Sequence, residues 1–420
     1  MNIKKIKEKI ISIFFLSTFF EGITFFSYKT FNFNLPFLVS MFLLFFGIID
    51  SISSKIPYKR IIVFNLFVLS IILTLIFNKM GQNLYSALLY LYYLFLFLFT
   101  FGSMSFSNFT KTIKFFVIIA TVFSIFGLYQ FLGYSKNWPF SHFDLRNSLT
   151  VGYQTRVFYT NYGQFRAHSL YNEPSFFSQF CAISIVFSFF LFANNKVTKT
   201  FFYFTIVTNI IGLFVSFSGT GFIILLIVSI YTFFNRNLFK KVISYGFFSL
   251  IFLLTILAFF ENAFLLRFFQ NLFLRINEFS STSEKTSAYI RFVAPYRIYL
   301  SHFNDFIIGY GPGNDNLVYV MYGTSYNALS GIVKVGIELG LLGISMLFCL
   351  FILLTKPFQK NSYNFLFFLL LVSLSIVGIS IVESMFWCFA ILIGSNQSFC
   401  ETKLGFIKGV NEWKKRRKYL

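Results

Sequence analysis

Long apolar runs separated by short polar segments make up most of the chain. Because a helix needs about 20 apolar residues to cross the hydrocarbon layer of a bilayer, each run is a candidate transmembrane helix. The pattern predicts about 12 spans, with 11 as the alternative because the boundary between the last two, near Glu383, is weak. The predicted spans are residues 10–27, 35–50, 60–77, 84–102, 113–133, 171–193, 200–216, 219–234, 242–260, 327–355, 363–380 and 382–399. We therefore expect an all-α integral membrane protein, a single polytopic domain over residues 1–420.

Composition agrees with this class, since 57% of the residues are hydrophobic and 12% are charged. If the N-terminus is cytoplasmic, 23 of the 35 Lys and Arg residues fall in cytoplasmic segments, including the basic tail 401–420. This positive-inside bias predicts a multi-pass protein of the cytoplasmic membrane with both termini cytoplasmic. Orientation and attraction to anionic membrane lipids explain the formal charge of +21, so we expect no nucleic-acid partner. The four cysteines lack paired or metal-ligand spacing, which argues against disulfides and a zinc site.

This topology leaves two long extracytoplasmic loops, residues 134–170 and 261–326, whose basic residues differ in kind from those inside. Seven of their nine basic residues are Arg, whereas 19 of the 23 cytoplasmic ones are Lys. A planar guanidinium binds phosphate through two parallel hydrogen bonds, which an ammonium cannot do. The alternative is that individual arginines pair with loop carboxylates or reach lipid headgroups. The seven are Arg146, Arg156, Arg166, Arg267, Arg275, Arg291 and Arg297.

The first loop ends in Arg166, His168 and then Asn172-Glu173-Pro174-Ser175, where Pro174 suits the first turn of a helix. Two hypotheses for Glu173 stay open. Its carboxylate complements the helix dipole, or it acts at the outer membrane face as a general base that holds a substrate hydroxyl.

In the second loop, apolar residues recur at helical spacing over 288–308, which predicts an amphipathic helix lying in the membrane interface. Arg291, His302 and Asp305 fall on its polar face, with Arg297 at the flank. The turn at 311–314 that follows would offer backbone N–H groups without side-chain cover. In the next span, Lys334 and Glu338 are four residues apart and are predicted to pair within the membrane.

At these positions the chain resembles a known family. Arg166 with Asn172-Glu173-Pro174-Ser175 is similar to the Arg…Glu-Pro-Ser element of bacterial O-antigen and capsule polymerases. Further similar elements are Ser-Gly-Thr-Gly at 218–221, Arg291, Gly309-Tyr310-Gly311-Pro312-Gly313-Asn314, Ser325-Tyr326-Asn327 and 338–343. Together they resemble the superfamily that also contains the O-antigen ligases, and the likeness covers about 160–400 in order.

The resemblance implies a GT-C-like inner-membrane glycosyltransferase that joins repeat units carried on undecaprenyl pyrophosphate, without a nucleotide sugar. Undecaprenyl-pyrophosphate-linked glycans are then the substrates, and a chain-length regulator is an implied partner. Arg166 and Arg291 would hold the leaving diphosphate, and Glu173 would activate the acceptor hydroxyl. The expected substrate-binding residues are Arg297, His168, Tyr326 and Asn327. No Asp-x-Asp stands in either loop, so neither metal nor cofactor is expected.

Two alternatives are weighed against the polymerase. An O-antigen ligase would transfer finished glycan to lipid A-core or protein, but many ligases carry His where this chain has Tyr326. A flippase or other transporter for lipid-linked oligosaccharide fits the span count equally well. Transporters, however, place charges and broken helices near the bilayer midplane, often in two similar halves. The sequence shows no internal repeat, and its polar groups cluster in the outer loops.

Overall fold

A computed structural model describes residues 3–28, 31–53, 56–77, 83–100, 104–134, 136–141, 143, 157–160, 163, 165–233, 270, 289–322, 330–358 and 362–395. The described part of the chain is mostly helical. It contains six helices long and apolar enough to cross a membrane, together with four shorter apolar helices. The predicted all-α membrane architecture is thus confirmed at this level. The predicted span 242–260 lies outside the described residues.

The first predicted span, 10–27, is wrong in its second half. Helix α1 covers Ile3–Leu16 and continues as one 3₁₀ turn to Phe20. Two antiparallel strands follow, β1 at Thr24–Tyr28 and β2 at Phe31–Asn34, in a register that sets Phe26 opposite Phe33. These two rings stack with centroids 4.8 Å apart. Aromatic residues and threonine favour extended backbone, and cross-strand ring contacts stabilise the pair, so the apolar run does not continue as helix.

The next elements follow the apolar runs closely. Pro174, at the first turn of α6, has no N–H to lose there, which fits the observed start of that helix. The described helices up to residue 233 are α2 Leu35–Ser53, α3 Tyr58–Ile76, α4 Leu84–Thr100, α5 Phe106–Tyr134, α6 Pro174–Ala193, α7 Lys199–Ser216 and α8 Gly219–Phe233.

Helix α6 lies at the centre of the protein and packs against α5, α7 and α8. Of the residues in its most apolar stretch, 78% are buried, whereas the corresponding share is 28% in each of α2 and α3. The peripheral helices expose large apolar side chains such as Phe42 and Phe45, which are 56% and 59% exposed. Exposed apolar surface of this extent is typical of a face that meets lipid.

Helix ends gather at two opposite faces. At one face, Nζ of Lys7 at the start of α1 lies 2.6 Å from Asp50 at the end of α2. At the other face, Glu21 beyond the end of α1 and Asn34 at the start of α2 line one cavity. Helices α1 and α2 are therefore antiparallel, as the predicted alternation requires. Which face is cytoplasmic stays a prediction.

The single amphipathic helix predicted over 288–308 is wrong. A π-helical turn, Tyr289–Val293, precedes the short helix α9, Ala294–Ser301, and a 3₁₀ turn, Phe303–Phe306. Pro295 in the first turn of α9 cannot donate an N–H to a preceding turn, which accounts for the break. Ile298, Tyr299 and Phe306 are buried against Val333 and Ile337. This segment therefore packs on protein along part of its apolar surface, while other apolar side chains such as Leu300, 70% exposed, stay on the outside.

After α10, Asp315–Met321, the chain enters α11, Gly331–Thr355, which is broken at Gly340. Gly340 has φ +69°, and a Cβ there would stand 2.4 Å from the Ile307 carbonyl oxygen. The N–H of Tyr310 donates to the Ile337 carbonyl at 2.8 Å, and the N–H of Gly311 to that of Glu338 at 2.9 Å. The Gly311 N–H, part of the turn expected to offer N–H groups without side-chain cover, is thus already bonded to the backbone of α11 just before its break. Helices α12, Ser362–Ile376, and α13, Ser384–Ser395, complete the bundle as two separate elements.

Candidate functional site

The site forms where the N-terminus of α6 meets the π-helical turn of the second loop. Glu173 is the residue before α6 and has extended backbone, but its side chain makes no capping hydrogen bond. Oε2 of Glu173 instead accepts a hydrogen bond from Oγ of Ser175 at 3.0 Å. Oε2 also lies 3.5 Å from Nη2 of Arg291. The Glu173 carboxylate thus lies at the N-terminus of α6 without capping it through a hydrogen bond, and both hypotheses for this residue stay open.

Arg291 reaches this position from a segment 118 residues further along the chain. Its Nη2 also lies 3.4 Å from Oγ of Ser175, so one guanidinium nitrogen contacts both side chains. The Arg291 side chain is 14% exposed and that of Glu173 is 42% exposed. The arginine is thus held by its surroundings, while the carboxylate keeps access to solvent. Such an arrangement can bind a charged or hydroxyl-bearing group at the open side of the pair.

Arg166 is fixed against the end of α7. Its Nε donates to the Ser216 carbonyl oxygen at 3.2 Å, and its backbone N–H donates to the Phe158 carbonyl at 2.9 Å. The next N–H, of Ala167, donates to the Val215 carbonyl at 3.1 Å. The end of the first loop is therefore pinned along the last turn of α7, with Arg166 close to the turn that leads into α8.

A hydroxyl network joins that turn to the Glu173 site. Oγ of Ser218 and Oγ1 of Thr220 lie 3.0 Å apart, and Thr220 donates to the Ser175 carbonyl at 3.1 Å. At Gly221 a Cβ would stand 2.4 Å from the Ser178 carbonyl oxygen, so glycine permits α6 and α8 to approach this closely. The Ser-Gly-Thr-Gly element thus connects the ends of three helices, α6, α7 and α8.

The remaining predicted residues are placed differently. His168 is 5% exposed, with Nδ1 2.9 Å from the Tyr171 carbonyl oxygen, so its ring is turned into the protein. Arg297 lies on the exposed side of α9 and forms no ion pair within the described part of the chain. The structure therefore does not bring these two to the Glu173–Arg291 pair by any direct contact. Predicted residues outside the described ranges are Tyr326, Asn327, Arg146, Arg156, Arg267 and Arg275.

The charges favour an anion at this site. Arg291 supplies a positive charge beside Glu173, and the site lies at the N-terminus of a 20-residue helix, where the helix dipole is positive. Further along the second loop, Tyr322 donates to Oδ2 of Asp305 at 3.1 Å and stacks on His302. Partial burial and hydrogen bonds with Tyr310 and Asp305 raise the pKa of Tyr322, so its phenol stays a donor.

Sequence reasoning missed a second polar cluster, which lines a cavity near the break in α11. It contains Lys334, Asp315 and Glu338, to which Glu21 and Glu383 are added from other parts of the chain. The predicted Lys334–Glu338 pair is present, with Nζ and Oε1 3.8 Å apart. The available signal was a carboxylate inside or beside an apolar run, at Glu21 and at Glu383. Among the described residues no group of three or more metal-ligating side chains is arranged to hold an ion.

Taken together, the apolar helices, the lipid-facing exterior and the polar groups at helix ends define a helical, membrane-embedded protein. Comparison with known protein families, with curated proteins and with solved structures found no match to this chain.

Proposed function

We propose that the protein is a polysaccharide polymerase that joins lipid-diphosphate-linked repeat units at the outer face of the cytoplasmic membrane. The observation that carries the proposal is the 3.5 Å approach of Arg291, from the second loop, to Glu173, at the end of the first. A transferase of this kind needs a carboxylate for the acceptor and fixed cations for the leaving diphosphate.

In the proposed reaction, a hydroxyl oxygen of the acceptor repeat unit attacks the anomeric carbon of the donor glycan. The bond between that carbon and the diphosphate oxygen breaks, and the lipid diphosphate leaves with the bonding electrons. Glu173 takes the proton of the acceptor hydroxyl and later returns it to solvent. Arg291, supported by Arg166 and by the N-terminus of α6, stabilises the charge that develops on the leaving diphosphate. The product is a longer glycan on the acceptor's lipid carrier.

The present pairing of Arg291 with Glu173 suits this scheme. The ion pair orients the guanidinium before substrate arrives. An incoming diphosphate would compete with Glu173 for Arg291 and so release the carboxylate toward the acceptor. Ser175, which contacts both side chains, fixes the geometry of the pair.

The test is linkage formation in a single turnover by the purified protein in lipid vesicles. The substrates are a synthetic repeat unit on undecaprenyl pyrophosphate, radiolabelled in the sugar, with no nucleotide sugar added. The proposal predicts a labelled dimer of repeat units together with one released lipid diphosphate for each linkage. If the protein is folded and no linkage forms, the proposal is wrong.

One observation favours a second candidate, a transporter for lipid-linked oligosaccharide. Helix α11 is interrupted at Gly340, and just before the interruption Glu338 is buried and Lys334 is partly buried. Broken helices beside buried charges are typical of transporter substrate sites. Vesicles containing the labelled lipid on one side separate the candidates: a transporter moves the label across the bilayer without lengthening the glycan, and a polymerase lengthens it without net movement.

A further inference from the structure

A cavity of about 280 Å³ lies at the face of the protein that holds the start of α11, away from the direct contacts of the Glu173–Arg291 pair. It forms where the ends of several helices meet, close to Asn34 before α2, Ser86 in α4 and Ser384 at the start of α13. The volume is near the lower end of the range for small-molecule pockets, about 300–1,000 Å³. A ligand of one or two small rings therefore fits it, whereas a whole repeat unit with its lipid does not.

The wall of this cavity is strongly acidic. Four carboxylates line it, from Glu21, Asp315, Glu338 and Glu383, and the cationic side chain is Lys334. Nζ of Lys334 lies 3.4 Å from Oδ2 of Asp315 and 3.8 Å from Oε1 of Glu338, so the cation is already engaged. A phosphate group would find no unengaged cation among the described lining residues, whereas a neutral polyol or a cation needs none.

One acceptor in the wall needs a donor. Glu338 is fully buried, and its Oε2 accepts a hydrogen bond from Oη of Tyr90 at 2.6 Å. Its other oxygen, Oε1, receives no hydrogen bond from any residue that the structure describes, and Lys334 is too distant to donate one. Leaving a buried acceptor unpaired is unfavourable, and more so when the group is charged. A hydroxyl or ammonium group in the cavity would remove that cost.

We infer that this cavity binds a sugar ring that carries hydroxyl or ammonium groups and no phosphate. The ring's donors would pair with Oε1 of Glu338 and with the other wall carboxylates, and the Tyr93 ring at the wall offers an aromatic surface. This inference deepens the proposed function, on which it rests, because it places a sugar of the acceptor unit here and leaves the diphosphates to the arginines.

Binding can be measured through Trp387, whose indole stacks on Tyr93 with centroids 5.9 Å apart. The chain has three tryptophans, so Trp138→Phe and Trp413→Phe leave Trp387 as the fluorescent reporter. The probes are glucose, glucosamine and glucose 6-phosphate at millimolar concentrations, added to the purified full chain. We expect a saturable change with glucosamine, a weaker one with glucose, and none with glucose 6-phosphate.

Two variants locate the effect. Glu338→Gln should weaken glucosamine binding about tenfold, since it removes the charge of the unpaired acceptor at nearly constant size. Asp305→Asn, which changes a half-exposed carboxylate outside the cavity lining, should leave binding unchanged. Equal binding of glucose 6-phosphate, equal loss in both variants, or no saturable change with any probe would overturn the inference.

Linkage formation is assayed on the same preparation, so that the two proposals fail separately. A protein that joins repeat units but binds none of the probes retains its proposed function and loses this sugar site. A protein that binds glucosamine through Glu338 but forms no linkage retains the sugar site and loses the polymerase function.

Discussion

The two polar regions of this protein differ in charge and in the way their charged groups are held. Around the N-terminus of α6, Arg291 and Arg166 come from loop segments, and Glu173 stays 42% exposed. Around the start of α11, four carboxyl groups from four parts of the chain line one cavity with Lys334, and Glu338 is fully buried. The first region suits a transient, strongly anionic group, and the second suits a neutral or cationic one. A substrate with a diphosphate at one end and sugars beyond it matches that division.

The largest expected effect comes from removing the carboxylate of the first region. Glu173→Gln keeps the size of the side chain and loses the proton acceptor, so single-turnover linkage formation should fall about 10²- to 10⁴-fold. The matched control Asp305→Asn changes an exposed carboxylate elsewhere on the second loop and should stay within about twofold of the native rate. A Glu173→Gln protein with the native rate would return this residue to a purely structural role.

The second-largest effect is expected from replacing the guanidinium of Arg291 in the same region. Arg291→Lys retains the positive charge but loses the planar fork that binds a diphosphate at two points, so the rate should fall about 10²-fold. Arg60→Lys makes the same chemical change at the start of α3, outside both polar regions, and serves as the control. Equal rates in the two variants, measured at equal protein level, would show that the fork has no part in the reaction.

The close packing of the second loop against the break in α11 is tested by substituting Gly340. Gly340→Ala forces a side chain into φ +69° and into the Ile307 carbonyl oxygen, whereas Gly163 has φ +78° with open space around it. Gly163→Ala should therefore cost about 1–2 kcal/mol of backbone strain, and Gly340→Ala more. Thermal unfolding in detergent measures both. Equal destabilisation of the two variants would mean that the close contact at the break of α11 does not hold the second loop.

The smallest effect belongs to the acidic cavity, and it should appear in a different kinetic constant. If Glu338 holds a sugar of the acceptor unit, Glu338→Gln should raise the KM for acceptor about tenfold, worth about 1.4 kcal/mol, with kcat nearly unchanged. Steady-state rates at varied acceptor concentration give both constants. A fall in kcat at constant KM would instead assign Glu338 to the chemical step and remove the contrast between the regions.

Much of the fold follows from hydrophobic run length alone, because a buried or lipid-facing helix requires continuous apolar sequence. The runs at 171–193 and 327–355 correspond to α6 and α11, and the predicted and observed ends differ by only a few residues. The prediction for the run at 10–27 was wrong in its second half, because Phe and Thr residues occur in strands as well as in helices. The pairing of β1 with β2 favours the strand there.

The site was also predictable in part, because charged residues are conspicuous beside apolar runs. Arg166, Glu173 and Arg291 stand out because arginine and carboxylate are unusual beside membrane spans, and the structure places Arg291 against Glu173. The role of the glycine turn was not predictable, because the N–H groups of Tyr310 and Gly311 find their acceptors on α11 only after folding. The acidic cavity likewise joins Glu21 to Glu383 across nearly the whole chain, and no local pattern signals such a contact.

The most direct test of the account is a double-mutant cycle on Glu173 and Arg291, with single-turnover linkage formation as the measured rate. If the two side chains act together on one donor and one acceptor, the double variant Glu173→Gln/Arg291→Lys should be little slower than Glu173→Gln alone. Independent, multiplying losses, or a double variant that still forms polymer at the native rate, would contradict the claim that residues of the two loops form one catalytic site.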